Sequence, residues 1–421
     1  MLIALTFVGL LFQSEDRLNY FLSVTALQSG LYAIAVWLAW NDGLSQKLVL
    51  WIVALAVAVR VPVLLAPPYL STDVYRYVWD GHVEGVWFNP YRYAPEDPQL
   101  SALRDSVIYP QVASKSAPAI YPPMAEAVFF AVARVSESVM AMKIAMTIFD
   151  LTTVMLLARL LALEGLPTTR VLVYAWHPLP IWEFAGSGHI DAALITWTVA
   201  ALWAVRRPRT GIAGVFLAAA TLTKIYPAVL APALYRRWGW KMPAFFALTI
   251  AVAYLPFFSA GSQILGFLPG YVGQEGFNAA GAGFYFLQLL RELPALAGLS
   301  TRAYQIMGLV ALAALAAWLV LRRDADRPPY RMAAIAGVVF TLLVSPHYPW
   351  YFVWLTVFIC FDRSFALLWL TNACVLLYLN TGYAFLPSNQ ALAIQSMIYG
   401  PFVALALIDL WCHRAHIAPR S

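Results

Sequence analysis

What this sequence has least of is charge. Only 11% of its residues are Asp, Glu, Lys or Arg, against about 25% in an ordinary soluble domain, and a water-facing surface cannot be built from so few. Cysteine is scarcer still. Cys360, Cys374 and Cys412 are the three, all in or beside apolar segments toward the C-terminus, so no extracytoplasmic disulfide framework is implied. Leu2 to Phe12 has neither a cationic stretch before it nor a small-residue cleavage site after it, and reads as a short first span in place of a removed signal peptide.

Apolar surface is what the chain has in excess, at 62% hydrophobic residues. Runs near 20 residues, enough to cross roughly 30 Å of hydrocarbon, recur at 19–40, 48–66, 139–163, 241–258, 302–321 and 391–411. The expected fold is all-α: one integral membrane domain over 1–421, a polytopic helical bundle of about 12–14 spans. The formal charge of +6 does not point to nucleic acid, because the basic residues gather in short clusters between spans. Arg206, Arg207 and Arg209 form one cluster, and Arg236, Arg237 and Lys241 a second. Arg322, Arg323, Arg327 and Arg331 form a third, with Arg414 and Arg420 at the end. That is the positive-inside distribution, so the excess charge reports orientation in the membrane.

With those clusters placed in the cytoplasm, the hydrophilic stretches 67–118 and 259–301 fall outside. The first, extended through 138, is the dominant outer loop. It holds six of the 21 acidic residues up to position 118: Asp73, Asp80, Glu84, Glu96, Asp97 and Asp105. Its many aromatics, among them Tyr75, Tyr77, Trp79, Trp87, Tyr91 and Tyr109, argue against disorder. Ser71-Thr72-Asp73 offers N-cap chemistry for a helix over 74–86, which the turn at Asn89-Pro90 closes. Positions three, four and seven apart share a helix face, so Asp73, Arg76, Tyr77 and Asp80 are expected on one stripe. After Tyr121-Pro122-Pro123, the apolar segment 124–135 is too short to span and is expected to lie at the outer interface, forming a lid with the loop.

Three constellations could carry chemistry. Asp73, a few residues beyond a span, sits where a lipid-borne head group and a water-borne substrate can meet; it can draw a proton from a hydroxyl, or simply cap its helix or pair with Arg76. Glu183-Phe-Ala-Gly-Ser-Gly-His189-Ile-Asp191 puts ionisable groups at membrane depth, where they are costly and tend to mark sites. His189 and Asp191 could ligate a metal, although two ligands one residue apart equally fit a Gly-rich turn with satisfied polar groups. Lys224, in Thr223-Lys224-Ile225-Tyr226-Pro227, must either snorkel to an interface or meet an anion such as a phosphate. In Ser345-Pro346-His347-Tyr348-Pro349-Trp350-Tyr351 the aromatics taken alone read as interface anchors, and His347 is the member that an aromatic belt does not explain.

Taken together, Asp73-Val-Tyr-Arg-Tyr, Trp79-Asp80-Gly81, Asn89-Pro90-Tyr91 and Tyr121-Pro122-Pro123 resemble the first outer loop of the GT-C superfamily. Gly188-His189-Ile-Asp191, Thr223-Lys224 and the His347-Tyr348 motif are similar to bacterial polyprenyl-phosphate-mannose-dependent mannosyltransferases, glycosyltransferase family 87 among them. The resemblance runs from about residue 48 to 361. It implies a polyprenyl-phosphate sugar donor, a glycan or glycolipid acceptor entering from the outer side of a bacterial plasma membrane, surrounding membrane lipids and no nucleic acid. It further implies inversion at the anomeric carbon, with Asp73 as catalytic base. By the same resemblance Arg76, Tyr77, Asp80, His189, Asp191, Lys224, His347 and Tyr348 are expected to hold the donor phosphate or the sugars. A divalent metal between Asp73 and Asp80 is compatible with this chemistry but not required by it.

Two other classes compete. A transporter or flippase of a lipid-linked saccharide would place its polar groups near the midplane in related repeats, yet no repeat is evident between the halves and the polar groups crowd into an outer loop. An assembly scaffold would leave Asp73 and His347 without chemistry. Acceptor choice is expected from 259–301 and 381–390, where Gly270, Gly273, Gly276, Gly281 and Gly283 read as mobility.

Overall fold

The computed structural model describes residues 1–11, 17–41, 44–207, 209–235, 239–278, 281, 283–322, 328–380 and 388–417. Phe12, the basic residues Arg236, Arg237, Arg323, Arg327 and Arg420, and positions 381–387 lie outside the described residues; of Cys412 and Arg414 only the helical backbone is described. No strand occurs among the described residues.

Six helical segments are long and apolar enough to cross a membrane: Arg17–Trp40, Gln46–Leu65, Val139–Leu163, Lys241–Gln263, Thr301–Arg322 and Gln390–Trp411. Each falls within a few residues of an apolar run in the sequence, because run length against bilayer thickness is a local property. The protein is therefore a polytopic all-α membrane protein. The expectation of about 12–14 spans is not met by long single helices: the other apolar segments, such as Thr210–Thr221 and Tyr330–Val344, are shorter.

The site is held by a subset of these helices, here numbered in chain order: α1 (Leu2–Leu11), α2 (Arg17–Trp40), α3 (Val49–Leu65), α4 (Asp73–Gly85), α5 (Pro123–Ala133), α6 (Val139–Leu163), α7 (Asp191–Arg206), α8 (Thr210–Thr221), α9 (Lys241–Tyr254), α10 (Thr301–Arg322) and α11 (Tyr330–Val344). Local chemistry sets their ends. Ala66 stops α3 in extended backbone because Pro67 follows and disfavours the helical region for its predecessor. Pro123 opens α5 at the first helical position, where a missing N–H costs nothing, and Ser138 caps α6 by accepting from Ala141 N–H. Ser345 ends α11 in the left-handed region at φ +50°.

Spans α3 and α6 are joined by a fully buried ion pair, Arg60 Nε to Asp150 Oδ2 at 2.5 Å, with Arg60 Nη1 also donating to the carbonyls of Ala56 and Ala175 at 2.8 Å each. Nearer the C-terminal end of α3, Lys143 of α6 donates to the carbonyls of Val63 at 3.1 Å, Leu64 at 2.8 Å and Ala66. These are the carbonyls that a helix end leaves without partners, so the cation seals α3 where its dipole is negative. Outward faces of the spans remain apolar and open, with Leu50, Trp51, Leu309 and Leu407 all more than 60% exposed, as lipid contact requires.

Candidate active site

The loop between α3 and α6 fixes α4 before it presents any chemistry. A Cβ on Gly81 would lie 2.4 Å from the Phe129 carbonyl, so only glycine lets α4 and α5 approach this closely. Tyr77 stacks on Phe129 at 4.5 Å and meets Tyr121 edge-on at 5.1 Å. On the next turn Arg76 Nε reaches both oxygens of Asp80 at 2.8 Å, and its Nη1 donates to the carbonyls of Ala117 at 3.1 Å and Ser114 at 3.4 Å. Arg76, Tyr77 and Asp80 are thus engaged in bracing the loop.

Asp73 is placed differently. It is the first residue of α4, Thr72 makes no side-chain cap, and Ser71 Oγ accepts the Asp73 N–H at 3.2 Å. Its carboxylate is about 31% exposed and faces the turn at 183–191. That turn docks on α4 because Gly188 adopts φ +75° and brings Val74 within 3.0 Å of where a Cβ would stand. His189 Nδ1 then lies 3.8 Å from Asp73 Oδ2, and its ring stacks on Trp350 with centroids 4.1 Å apart. Burial raises the proton affinity of the Asp73 carboxyl above its ordinary value; Lys224 acts against the rise, Asp191 and Glu275 add to it, and the Ser71 hydroxyl lowers it.

Beside this carboxylate sits a second, cationic element. Lys224 Nζ is 2.6 Å from Asp191 Oδ2, Tyr226 hydroxyl donates to the other oxygen at 2.9 Å, and the ammonium lies 4.5 Å from the centre of the Tyr351 ring. Tyr351 shares a hydrogen bond with Tyr271 at 3.0 Å, which brings in the segment 259–301. There Glu275 lies 3.4 Å from His347 Nδ1 and accepts from Tyr348 hydroxyl at 3.4 Å, while His347 Nε2 donates to the Gly283 carbonyl at 2.9 Å. The result is a carboxylate and an ammonium lined by aromatics, chemistry able to take a proton on one side and stabilise an anion on another.

Of the residues singled out in the sequence, the structure gathers Asp73, His189, Asp191, Lys224, His347 and Tyr348 into linked contacts. The stripe expected through positions 73, 76, 77 and 80 is a shared angular face only. Seven residues along a helix are about 10 Å, so Asp80 stands too far from Asp73 to share one metal ion with it, and its carboxylate is committed to Arg76. Among the described residues no three His, Cys, Asp or Glu side chains are grouped to hold a metal. The aromatics of 348–351 face inward as site lining, with Trp350 buried, and are not interface anchors. Of the loop glycines, Gly276 and Gly281 adopt φ +75° and +66°, positions that favour glycine. Glu183 belongs to the constellation the sequence marks with His189 and Asp191; Tyr271, Glu275 and Tyr378 were not among the expected site residues, and of these Glu275 was the visible signal, one of two acids in 259–301. A cavity of about 640 Å³ flanks α4, lined by Leu65, Val78, Trp79, Ile108 and Met140 among others, but none of the six gathered residues lines it.

Comparison with known families now bears on this geometry. The family model described as Glycosyltransferase family 87 matches residues 119–346, more than half of the chain. The chain belongs to glycosyltransferase family 87. No curated protein and no solved structure gives a significant match. Family 87 is of the GT-C type, so this family 87 chain is a glycosyltransferase with a sugar donor and an acceptor. The matched segment of the family 87 chain contains His189, Asp191 and Lys224, ends one residue before His347, and leaves Asp73 outside.

Proposed function

We propose that this protein is an inverting glycosyltransferase that moves a hexose, mannose on the resemblance in its motifs, from a polyprenyl-phosphate sugar to a glycolipid or glycan on the outer face of a bacterial plasma membrane. The observation that carries the reading is the linkage of one accessible carboxylate, Asp73, through His189, Trp350 and Tyr351 to the buried Lys224 ammonium, which Asp191 pairs. Inverting transfer needs that pairing. Asp73 takes the proton of the acceptor hydroxyl as its oxygen attacks the anomeric carbon. The bond from that carbon to the phosphate oxygen breaks on the opposite face, and the departing phosphate keeps the electron pair. Lys224 offsets the charge that develops there. A positioned base contributes about 10²–10⁴-fold to such a step, or on the order of 3–6 kcal/mol of barrier.

The test is reconstitution in proteoliposomes with polyprenyl-phosphate mannose and a total glycolipid extract as acceptor. Wild type transfers mannose, and Asp73→Asn, which keeps size and removes basicity, loses at least about 10²-fold in kcat. Equal turnover by the two removes Asp73 as the base.

A further inference from the structure

His189 is fully buried, and neither of its ring nitrogens has a hydrogen-bond partner. Buried polar atoms left this way cost free energy and call for a reason, most often one found in function. The surroundings name the partners. Nδ1 faces Asp73 Oδ2 at 3.8 Å, Nε2 faces Glu183 Oε2 at 3.4 Å, and the other Glu183 oxygen accepts from Tyr378 hydroxyl at 2.6 Å. Glu183 Oε2 is itself buried without a hydrogen bond. Trp350, stacked on the imidazole at 22° between planes, fixes the ring so that its two nitrogens stay aimed at the two carboxyl groups. The backbone joins in, with His189 N–H donating to the Glu183 carbonyl at 3.0 Å.

Resting on the reading of Asp73 as the base, we propose that Tyr378, Glu183 and His189 form a chain of hydrogen-bond donors that ends on Asp73 and selects which of its oxygens meets the acceptor. A neutral imidazole carries one N–H. Donating Nδ1–H to Asp73 Oδ2 makes Nε2 an acceptor, so Glu183 must supply a proton to it as the carboxylic acid, and Tyr378 hydroxyl occupies the remaining Glu183 oxygen. Asp73 Oδ1 is then the free oxygen, and the acceptor proton ends there while every atom of the chain keeps its own. His189 and Glu183 are positioning residues that never touch the sugar. Their contacts exceed hydrogen-bond length in the empty site and tighten once donor and acceptor fill it, as catalytic hydrogen bonds commonly do.

Substitutions distinguish the parts. The Asn amide nitrogen reaches the place of Nδ1 and the Gln amide nitrogen that of Nε2. In the mannose transfer assay His189→Asn stays within about tenfold of wild-type kcat, whereas His189→Gln and His189→Ala lose about 10²-fold with KM little changed. Glu183→Gln is tolerated because an amide still donates; Glu183→Leu loses as much as His189→Ala, and its loss disappears in the His189→Asn background. The acid limb of the kcat profile moves up in His189→Gln, because Asp73, already facing Lys224, Asp191 and Glu275, loses a donor to its charged form. His189→Asn no better than His189→Ala, or Glu183→Gln as impaired as Glu183→Leu, overturns the chain. An active Asp73→Asn overturns the base reading instead, and an inactive one beside a flat His189 series overturns the chain alone. Independently of folding in any variant, ¹⁵N resonances of His189 in the wild-type protein report a neutral ring protonated at Nδ1. Protonation at Nε2, or at both nitrogens, refutes the proposal.

Discussion

Removing the charge of Lys224 separates what its ion pair does for folding from what its ammonium does for chemistry. The side chains of Lys224 and Asp191 are 9% and 0% exposed and their charges meet at 2.6 Å. At an effective dielectric near 20 the gross attraction is about 6 kcal/mol, and taking both ions out of water costs several kcal/mol each, so the intact pair is close to neutral in net terms. Breaking it is different. Lys224→Met leaves Asp191 buried with only Tyr226 as partner, and such an uncompensated charge costs about 3–5 kcal/mol. The double variant Lys224→Met/Asp191→Leu removes both charges and is expected to recover most of that stability, measured by thermal unfolding in detergent. Its mannose transfer is expected to stay at least about 10²-fold below wild type, the usual cost of losing one donor to a developing oxyanion. A stable double variant with wild-type turnover refutes the assignment of Lys224 to the leaving phosphate. A double variant as unstable as the single one refutes the energetics.

The same logic without chemistry applies to Arg60 and Asp150, whose pair lies between α3 and α6. Asp150→Leu alone is expected to cost about 3–5 kcal/mol in detergent unfolding and Arg60→Met/Asp150→Leu far less; equal losses would show that the pair itself stabilises the fold. In α4, burial and then the nearby Asp80 push the Glu84 carboxyl up to about 8 from 4.5. Between those values the folded chain holds more protons than the unfolded one, so the contribution of Glu84 is complete below about pH 4.5 and is lost as pH rises through 8. Glu84→Gln is expected to flatten the fall in melting temperature between pH 5 and 9, and parallel curves for the two proteins contradict the assignment.

What could be read from the sequence was what neighbours along the chain decide. The six long spans follow from apolar run length, and the helix expected over 74–86 is found at Asp73–Gly85 because its start and stop signals are local. Asp73 stood out by its position just past a span. The pairings that define its surroundings are non-local: Glu183 with Tyr378, His189 with Trp350, Glu275 with His347. Nothing in a single segment reports them. Trp350 and Tyr351 were ambiguous for a physical reason, since aromatics beside proline at a span end suit a membrane interface and a sugar site equally, and only packing tells which way they face. Arg76 and Asp80 differ in the reason: helix periodicity gives direction around the axis only, so Asp80 lies two turns along from Asp73, while Arg76, one turn away, is taken up by Asp80 and the loop carbonyls.

Lys143 has a consequence beyond the helix it seals. By gripping the end of α3 from α6, it sets the height at which the chain leaves the lipid, and Asp73 follows within a few residues, ahead of the long excursion through 86–118. The depth of the Asp73 carboxyl is thereby an attribute of the transmembrane scaffold. The downstream excursion is left free to be rebuilt for other acceptors without displacing the group proposed to activate them.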